Sequence, residues 1–404
     1  MRVYDYKGFS MKVGDPVVVL QGGTWDECGW GPYQFPTLSK TRNGFIRYTC
    51  NGPAARDDID GYEGEALPFG RISEDGGDTW RELTSADEPC GAPLPDGKEY
   101  IRPKNKNAFT APWLDKYTPD APAEGLTPYG GEMPDLYYAD KIPEYPKNPE
   151  AYLYDTKTGT TESFPMTIHW PYLSVQAFRR KTGTLVYPME MLMGMMGHVM
   201  ADPDGTLFFA TYTRGFSGVT GKPAWLYLVD VLRSDDGGRT WDWQSEVLTT
   251  PEYDPHLPGF EGFCEPYIER MTDGSVIMLM RTGSGCPSYI VRSTDNCKTW
   301  SKPEKFDEIG VLPQLLRLAC GVTLATYGRP GVFLRATDDE KGLLWEEPVS
   351  FDISGSGYDS CCYTSLLALD DTTALAAYSH FRYPDKNGVP VKTLLVRKIR
   401  VLPK

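Results

Sequence analysis

One polar turn appears four times along the 404-residue chain. It reads GRISEDGGDTW at 70–80, LRSDDGGRTW at 232–241, VRSTDNCKTW at 291–300 and, with its centre altered, LRATDDEKGLLW at 334–345. A turn repeated in this way marks a repeated supersecondary unit, which cannot bury its apolar face alone and must stack on its neighbours. Apolar and β-branched residues lead into the copies, as in AWLYLVDVLRS and CPSYIVRS, and predict a strand. The Asp and Gly residues that follow bond to their own main chain and accept left-handed backbone. The turn is therefore predicted to be that of a β-hairpin locked by an aspartate, with its Trp packed between neighbouring sheets.

A second pattern precedes the first: an apolar run, a polar turn, then another apolar run. It is seen in VMADPDGTLFFATY at 199–212, PYIERMTDGSVIMLMR at 266–281, LLRLACGVTLATY at 315–327 and SLLALDDTTALAAY at 365–378. Two hairpins per unit give four strands, and four-stranded antiparallel units at this spacing predict an all-β fold, a six-bladed β-propeller. The units fall at 33–85, 150–190, 195–248, 262–305, 311–350 and 361–400, with DPVVVL at 15–20 completing the last. Seven blades are the rival count. The chain reads as a single domain over 1–404, interrupted by a Pro- and Tyr-rich insertion at about 86–165. So many prolines exclude a central sheet or a long helix there. The aromatic content predicts an ordered segment that covers a ligand pocket, packs on another copy of the chain in a homo-oligomer, or elaborates the surface.

Composition narrows the partners. The net charge of -14 repels nucleic acid and anionic membrane surfaces, although local arginines can still bind a small anion. No run of eighteen apolar residues occurs, and no basic segment followed by an apolar one opens the chain. The nine cysteines lack C-x-x-C pairing, which fits reduced thiols and a cytoplasmic location rather than a disulfide framework or a zinc site. No cofactor or metal is expected. The methionine-rich MEMLMGMMGHVM at 189–200 reads as adaptable packing, because thioethers without paired Cys or His bind little beyond soft metals.

The S-x-D-x-G-x-T-W turn is the Asp-box, and together with the inner hairpins it makes most of the chain resemble the sialidase (neuraminidase) superfamily of six-bladed propellers. The resemblance implies that the boxes lie on the outer rim as scaffolding, so function must come from the inner strands. It also implies site residues. CEPYIERMTDGSVIMLMR supplies Glu265 and Arg281, YGRPGVFLR supplies Arg329, and CCYTSLLALDD supplies Tyr363 as nucleophile. RYTCNGPAARDDIDGYEG places Asp57 and Asp58 where the family carries its acid/base residue. In PYQFPTLSK, Gln34 stands where the family has its first carboxylate-binding arginine, removing one charge from that set.

The chemistry of these residue types fits the grouping. A phenol is a weak nucleophile without a neighbouring base, a role for Glu265. Glycoside transfer needs an acid for the leaving oxygen, a role for Asp57 or Asp58, and forked guanidinium groups at Arg281 and Arg329 suit a carboxylate. The expected activity is that of a retaining, exo-acting glycosidase on an acidic oligosaccharide or glycoside, a nonulosonic or uronic acid. Taken singly, Glu265, Arg281 and Tyr363 also fit structural roles. Two histidines open a second reading: His198 heads an inner hairpin, and His169 in MTIHWPYLSV stands one unit earlier at an equivalent place. Facing the pocket, they would suit a lyase that abstracts the proton beside a uronate carboxylate. A non-catalytic carbohydrate-binding propeller is the third reading, favoured by Gln34.

Overall fold

The computed structural model describes residues 1–55, 69–102, 109–124, 133–143, 149–180, 183–188, 198–224, 226–248, 261–351 and 359–404. They are almost all β, and the fold class is a six-bladed β-propeller of mainly four-stranded antiparallel blades. The chain divides into two compact units, Met1–Cys90 with Glu269–Arg292 and Glu304–Lys404, and Gly91–Ile268 with Ser293–Pro303.

In the first unit, one sheet orders Thr37–Lys40, Ile46–Cys50, Phe69–Ser73 and Arg81–Glu82, and another orders Val311–Arg317, Thr323–Gly328, Val332–Thr337 and Val349–Ser350. The last sheet joins the two ends of the chain. Strands Phe9–Val13 and Val17–Gln21 both pair antiparallel with the long strand Pro390–Pro403, which also pairs with Thr373–Pro384. The amino-terminal strand predicted at 15–20 does complete this sheet, and a second one, Phe9–Val13, joins it. Alternation buries one face: Phe9, Met11 and Val13 enter a core with Leu324, Leu334, Ala376 and Ile399. A further sheet runs in the order Cys264–Arg270, Val276–Arg281, Ser288–Ser293 and Glu304–Asp307.

The second unit departs from the strand assignment made on sequence. Ser174–Arg180 and Gly183–Pro188 pair with Asp135–Tyr138 and Phe109–Thr110, so the region at 86–165 lends two strands to the second blade. Residues 150–165 lie elsewhere. Glu150–Asp155 and Thr160–Pro165 join Lys98–Ile101 and Ala92–Pro93 in a separate four-stranded sheet. The prolines of this sheet, Pro93 and Pro165, sit on its two edge strands, where a missing N–H breaks no ladder. Its apolar face does not remain open: Tyr100, Leu153 and Phe164 pack with Phe209, Leu232 and Trp241 of the neighbouring sheet in the same unit.

That neighbour orders Thr167–His169, Thr240–Val247, Leu228–Ser234, Leu207–Thr213 and His198–Ala201. The short first strand runs parallel to Thr240–Val247, and the remaining pairs are antiparallel.

The repeated turn has one hydrogen-bond plan. Asp75 Oδ1 accepts from Ser73 Oγ at 2.8 Å, Asp78 N at 3.0 Å and Thr79 N at 2.9 Å. Asp236 accepts in the same way from Ser234, Arg239 and Thr240. The serine oxygen in turn accepts from a backbone N–H four residues on, from Gly77, Gly238 or Cys297. The Trp indole closes the turn onto a glycine carbonyl at 3.2 Å from Trp80 and 3.0 Å from Trp241. In the altered copy Asp339 still accepts from Leu343 N and Leu344 N, and Trp345 donates to the Gly342 carbonyl.

These bonds tie the turn to pH. Hydrogen bonds from Thr299, through side chain and backbone, and from Ser293 push the Asp295 carboxyl down to about 2. In an unfolded chain the same group titrates at about 4. A depressed carboxylate contributes stability that is complete above the unfolded value and is lost as the pH falls toward the folded one. The melting temperature of Asp295→Asn is therefore expected to fall less steeply between pH 4 and pH 2 than that of the parent protein, as followed by circular dichroism. Parallel slopes would remove Asp295 as a source of acid sensitivity.

Candidate active site

Three residues marked in the sequence meet in the first unit. Arg281 ends the strand Val276–Arg281, Tyr363 immediately precedes the strand Thr364–Ala368, and each is 6% exposed. Arg281 Nη1 donates to Tyr363 Oη at 3.4 Å. Arg329 lies in the turn between Thr323–Gly328 and Val332–Thr337, with its guanidinium carbon 5.4 Å from the centre of the Tyr363 ring. Its Nη2 donates to the Cys361 carbonyl at 2.6 Å. Arg281 Nη2 and Arg329 Nη1 share one acceptor, Ser284 Oγ, at 3.3 Å and 3.0 Å.

Backbone geometry brings these groups together. A Cβ on Gly328 would lie 2.2 Å from the Gly331 oxygen and 2.8 Å from Cys362 Cβ, so only glycine lets the Arg329 turn close onto the segment leading to Tyr363. Arg329, Cys362, Phe35, Tyr33 and Leu312 all have positive φ, at 63°, 61°, 55°, 62° and 36°. Non-glycine residues adopt such angles at a cost of roughly 1–3 kcal/mol each, and these sites gather where function fixes side-chain direction. Ser360 and Ser379 hold the segment by bonds to Cys362 N at 2.9 Å and to Cys361 Sγ at 3.0 Å. Burial raises both adjacent thiols, Cys362 to about 12, so they remain protonated at neutral pH and are poor nucleophiles.

An aromatic wall lines the same cluster. Phe35 packs 4.6 Å from the Tyr363 ring centre, and Trp30 lies 5.6 Å from the Arg329 guanidinium. The loop carrying both is pinned from below by Lys392, which is fully buried. Its ammonium donates to the carbonyls of Trp30 at 2.7 Å and Pro32 at 2.9 Å and sits 4.1 Å from the Phe381 ring centre. Gln34 occupies this loop between Tyr33 and Phe35 and is 0% exposed. Its Nε2 donates to the Trp30 carbonyl at 2.6 Å, and its Oε1 has no hydrogen-bond partner among the described residues.

Three further candidates, Glu265, His198 and His169, belong to the second unit. Glu265, in the second unit, is the second residue of Cys264–Arg270, 5% exposed, with φ at 47°. His198 begins the edge strand His198–Ala201, stacked 3.8 Å from the Tyr267 ring. Burial, then the nearby Arg102 charge, pushes its imidazole down to about 3, so it is neutral at physiological pH. His169 corrects the reading made on sequence. It lies on the opposite edge of that sheet from His198, exposed, with Nδ1 2.7 Å from Asp242 Oδ1. Thr167–His169 pairs with the outer strand Thr240–Val247 instead of opening an inner hairpin, so His169 is not the equivalent of His198. Asp57 and Asp58 lie outside the described residues.

Two residues here escaped the sequence reading. Ser284 was signalled only by its position in a short Gly-flanked turn three residues after Arg281. Lys392 carried no signal, since a buried lysine reads like an exposed one. Arg329 has no carboxylate partner among the described residues, and its acceptors are a hydroxyl and a carbonyl. The cluster can therefore take up an anionic oxygen beside a phenol.

Comparison with known proteins agrees on the architecture. Residues 178–372 match the family described as BNR repeat-like domain. No curated protein sequence matches the chain. Among solved structures, a protein of unknown function from Dyadobacter fermentans superposes with a TM-score of 0.57 at 17% identity, covering 97% of this chain and 99% of that one. An α-L-arabinanase from Penicillium chrysogenum gives 0.48 at 13% identity, over 95% and 98% of the two chains. A point mutant of the NanB sialidase from Streptococcus pneumoniae gives 0.44 at 15% identity, over 96% and 70%. The repeat-family match and the superposition on the Dyadobacter fermentans protein both agree with the β-propeller fold.

Proposed function

We propose that the chain is a retaining glycoside hydrolase acting on an acidic sugar, a nonulosonic or uronic acid glycoside. The observation that carries this reading is the convergence of Arg281 and Arg329 on one hydroxyl beside the Tyr363 phenol. The guanidinium groups hold the carboxylate of the sugar. Tyr363 Oη attacks the anomeric carbon, and the bond to the leaving oxygen breaks as that oxygen takes a proton. Water then displaces the phenol and restores it. A neutral nucleophile suits an anomeric centre beside a carboxylate, where an aspartate would meet like charge. The resemblance assigns the proton acceptor to Glu265 and the acid/base to Asp57 or Asp58.

The test is a panel of aryl glycosides of nonulosonic and uronic acids, with neutral glycosides as controls, turned over in heavy-oxygen water. Hydrolysis of an acidic member, with retained anomeric configuration and one solvent oxygen in the sugar, is the expected result. An unsaturated product would replace this reading with β-elimination. Binding without any product would leave a carbohydrate-binding propeller.

A further inference from the structure

We propose that Ser284 is a ligand-binding residue of this site, donating its hydroxyl proton to the anionic oxygen of the ligand. The inference rests on the acidic-sugar reading and goes beyond it by adding a neutral donor to the two guanidinium groups. A serine hydroxyl has two lone pairs and one proton. Both lone pairs of Ser284 Oγ are engaged, by Arg281 Nη2 at 3.3 Å and by Arg329 Nη1 at 3.0 Å. The proton must point away from both donors, and among the described residues it meets no acceptor.

Two cationic donors polarise the hydroxyl and strengthen it as a donor. They also select what it can meet: an ammonium or another guanidinium is repelled, and an oxyanion is favoured. The turn holds the hydroxyl in position. Thr282 Oγ1 donates to the Pro287 carbonyl at 2.6 Å across the loop, and Cys286 N donates to the Gly283 carbonyl at 3.4 Å. Ser284 is half-buried and the next residue, Gly285, is exposed, with no atom within 4 Å of where its Cβ would stand. The loop is thus open at Gly285, the residue next to Ser284.

The experiment uses the full chain with three probes: sodium glucuronate, glucose as its uncharged counterpart, and acetate as the bare carboxylate. Affinities come from calorimetry, or for weak binding from titration of the Arg281 and Arg329 side-chain N–H resonances. Ser284→Ala is expected to weaken glucuronate and acetate about ten- to hundred-fold, the range for one hydrogen bond to a charged group. Ser284→Thr keeps the hydroxyl and should stay within a few-fold of the parent protein, with glucose indifferent to both changes. Parent-like affinity of Ser284→Ala for both carboxylates, with Arg281→Lys or Arg329→Lys weakened more than tenfold, would overturn the role of Ser284 and leave the acidic-sugar reading standing. Acetate binding that depends on Ser284, with no preference for glucuronate over glucose, would uphold Ser284 and sink the sugar assignment. If neither carboxylate binds the parent protein, both fall.

Discussion

Tyr363→Phe is expected to lower turnover of an acidic glycoside by roughly three orders of magnitude or more, the scale seen when a nucleophile is deleted from a group that acts as a unit. The same change should barely touch the fold. Phenylalanine keeps the ring against Phe35 and beneath Arg329, and it keeps its place in the cluster with Val311, Cys361 and Phe381. Only the hydroxyl is lost, and among the described residues it takes with it a long hydrogen bond from Arg281 at 3.4 Å. Such a bond is worth about 1 kcal/mol, so the unfolding midpoint should move little. The separation of the two readouts is what identifies the phenol as a reacting group: a structural tyrosine would change stability and activity together or neither. Turnover of Tyr363→Phe within a few-fold of the parent protein would exclude the proposed nucleophile.

The same contrast between local chemistry and distant packing explains what could be read from the chain beforehand. The four turns were legible because their lock requires particular atoms: a carboxylate at Asp75, Asp236, Asp295 or Asp339, with Ser or Thr to complete it. Arg281, Arg329 and Tyr363 were legible as an ordered set tied to strand ends. Ser284 was not, since its role depends on a meeting of two arginines 48 positions apart in the sequence. The strands Phe109–Thr110 and Asp135–Tyr138 were missed for a simpler reason: two and four residues are too short to show a period of two. Residues 150–165 were counted into the unit at 150–190, because their sequence does not say which sheet Glu150–Asp155 and Thr160–Pro165 join. His169 was misplaced by the same limit, because a strand of three residues can pair at either edge.

Packing also decides which repeated tryptophan matters most for stability. Trp241→Ala is expected to destabilise the protein by about 3–5 kcal/mol, the range for removing a large aromatic side chain from a closed core. Trp80, Trp300 and Trp345 stand at the same point of their turns but are only partly buried, whereas Trp241 is fully buried. The additional sheet makes the difference. Tyr100 lies 5.6 Å from the Trp241 ring on that side, and Phe209 lies at 6.3 Å within the sheet itself. The approach is close enough that a Cβ on Gly238 would come within 2.2 Å of the Tyr100 ring. Arg239 Nη2 donates to both carboxylate oxygens of Glu162, and its guanidinium lies 4.6 Å from the Phe164 ring centre. Denaturant unfolding of Trp241→Ala and Trp300→Ala compares a covered turn with a partly open one, and Trp241→Ala should show the larger loss. Equal losses would mean that the sheet built from residues 92–165 adds nothing to the stability of the turn it covers.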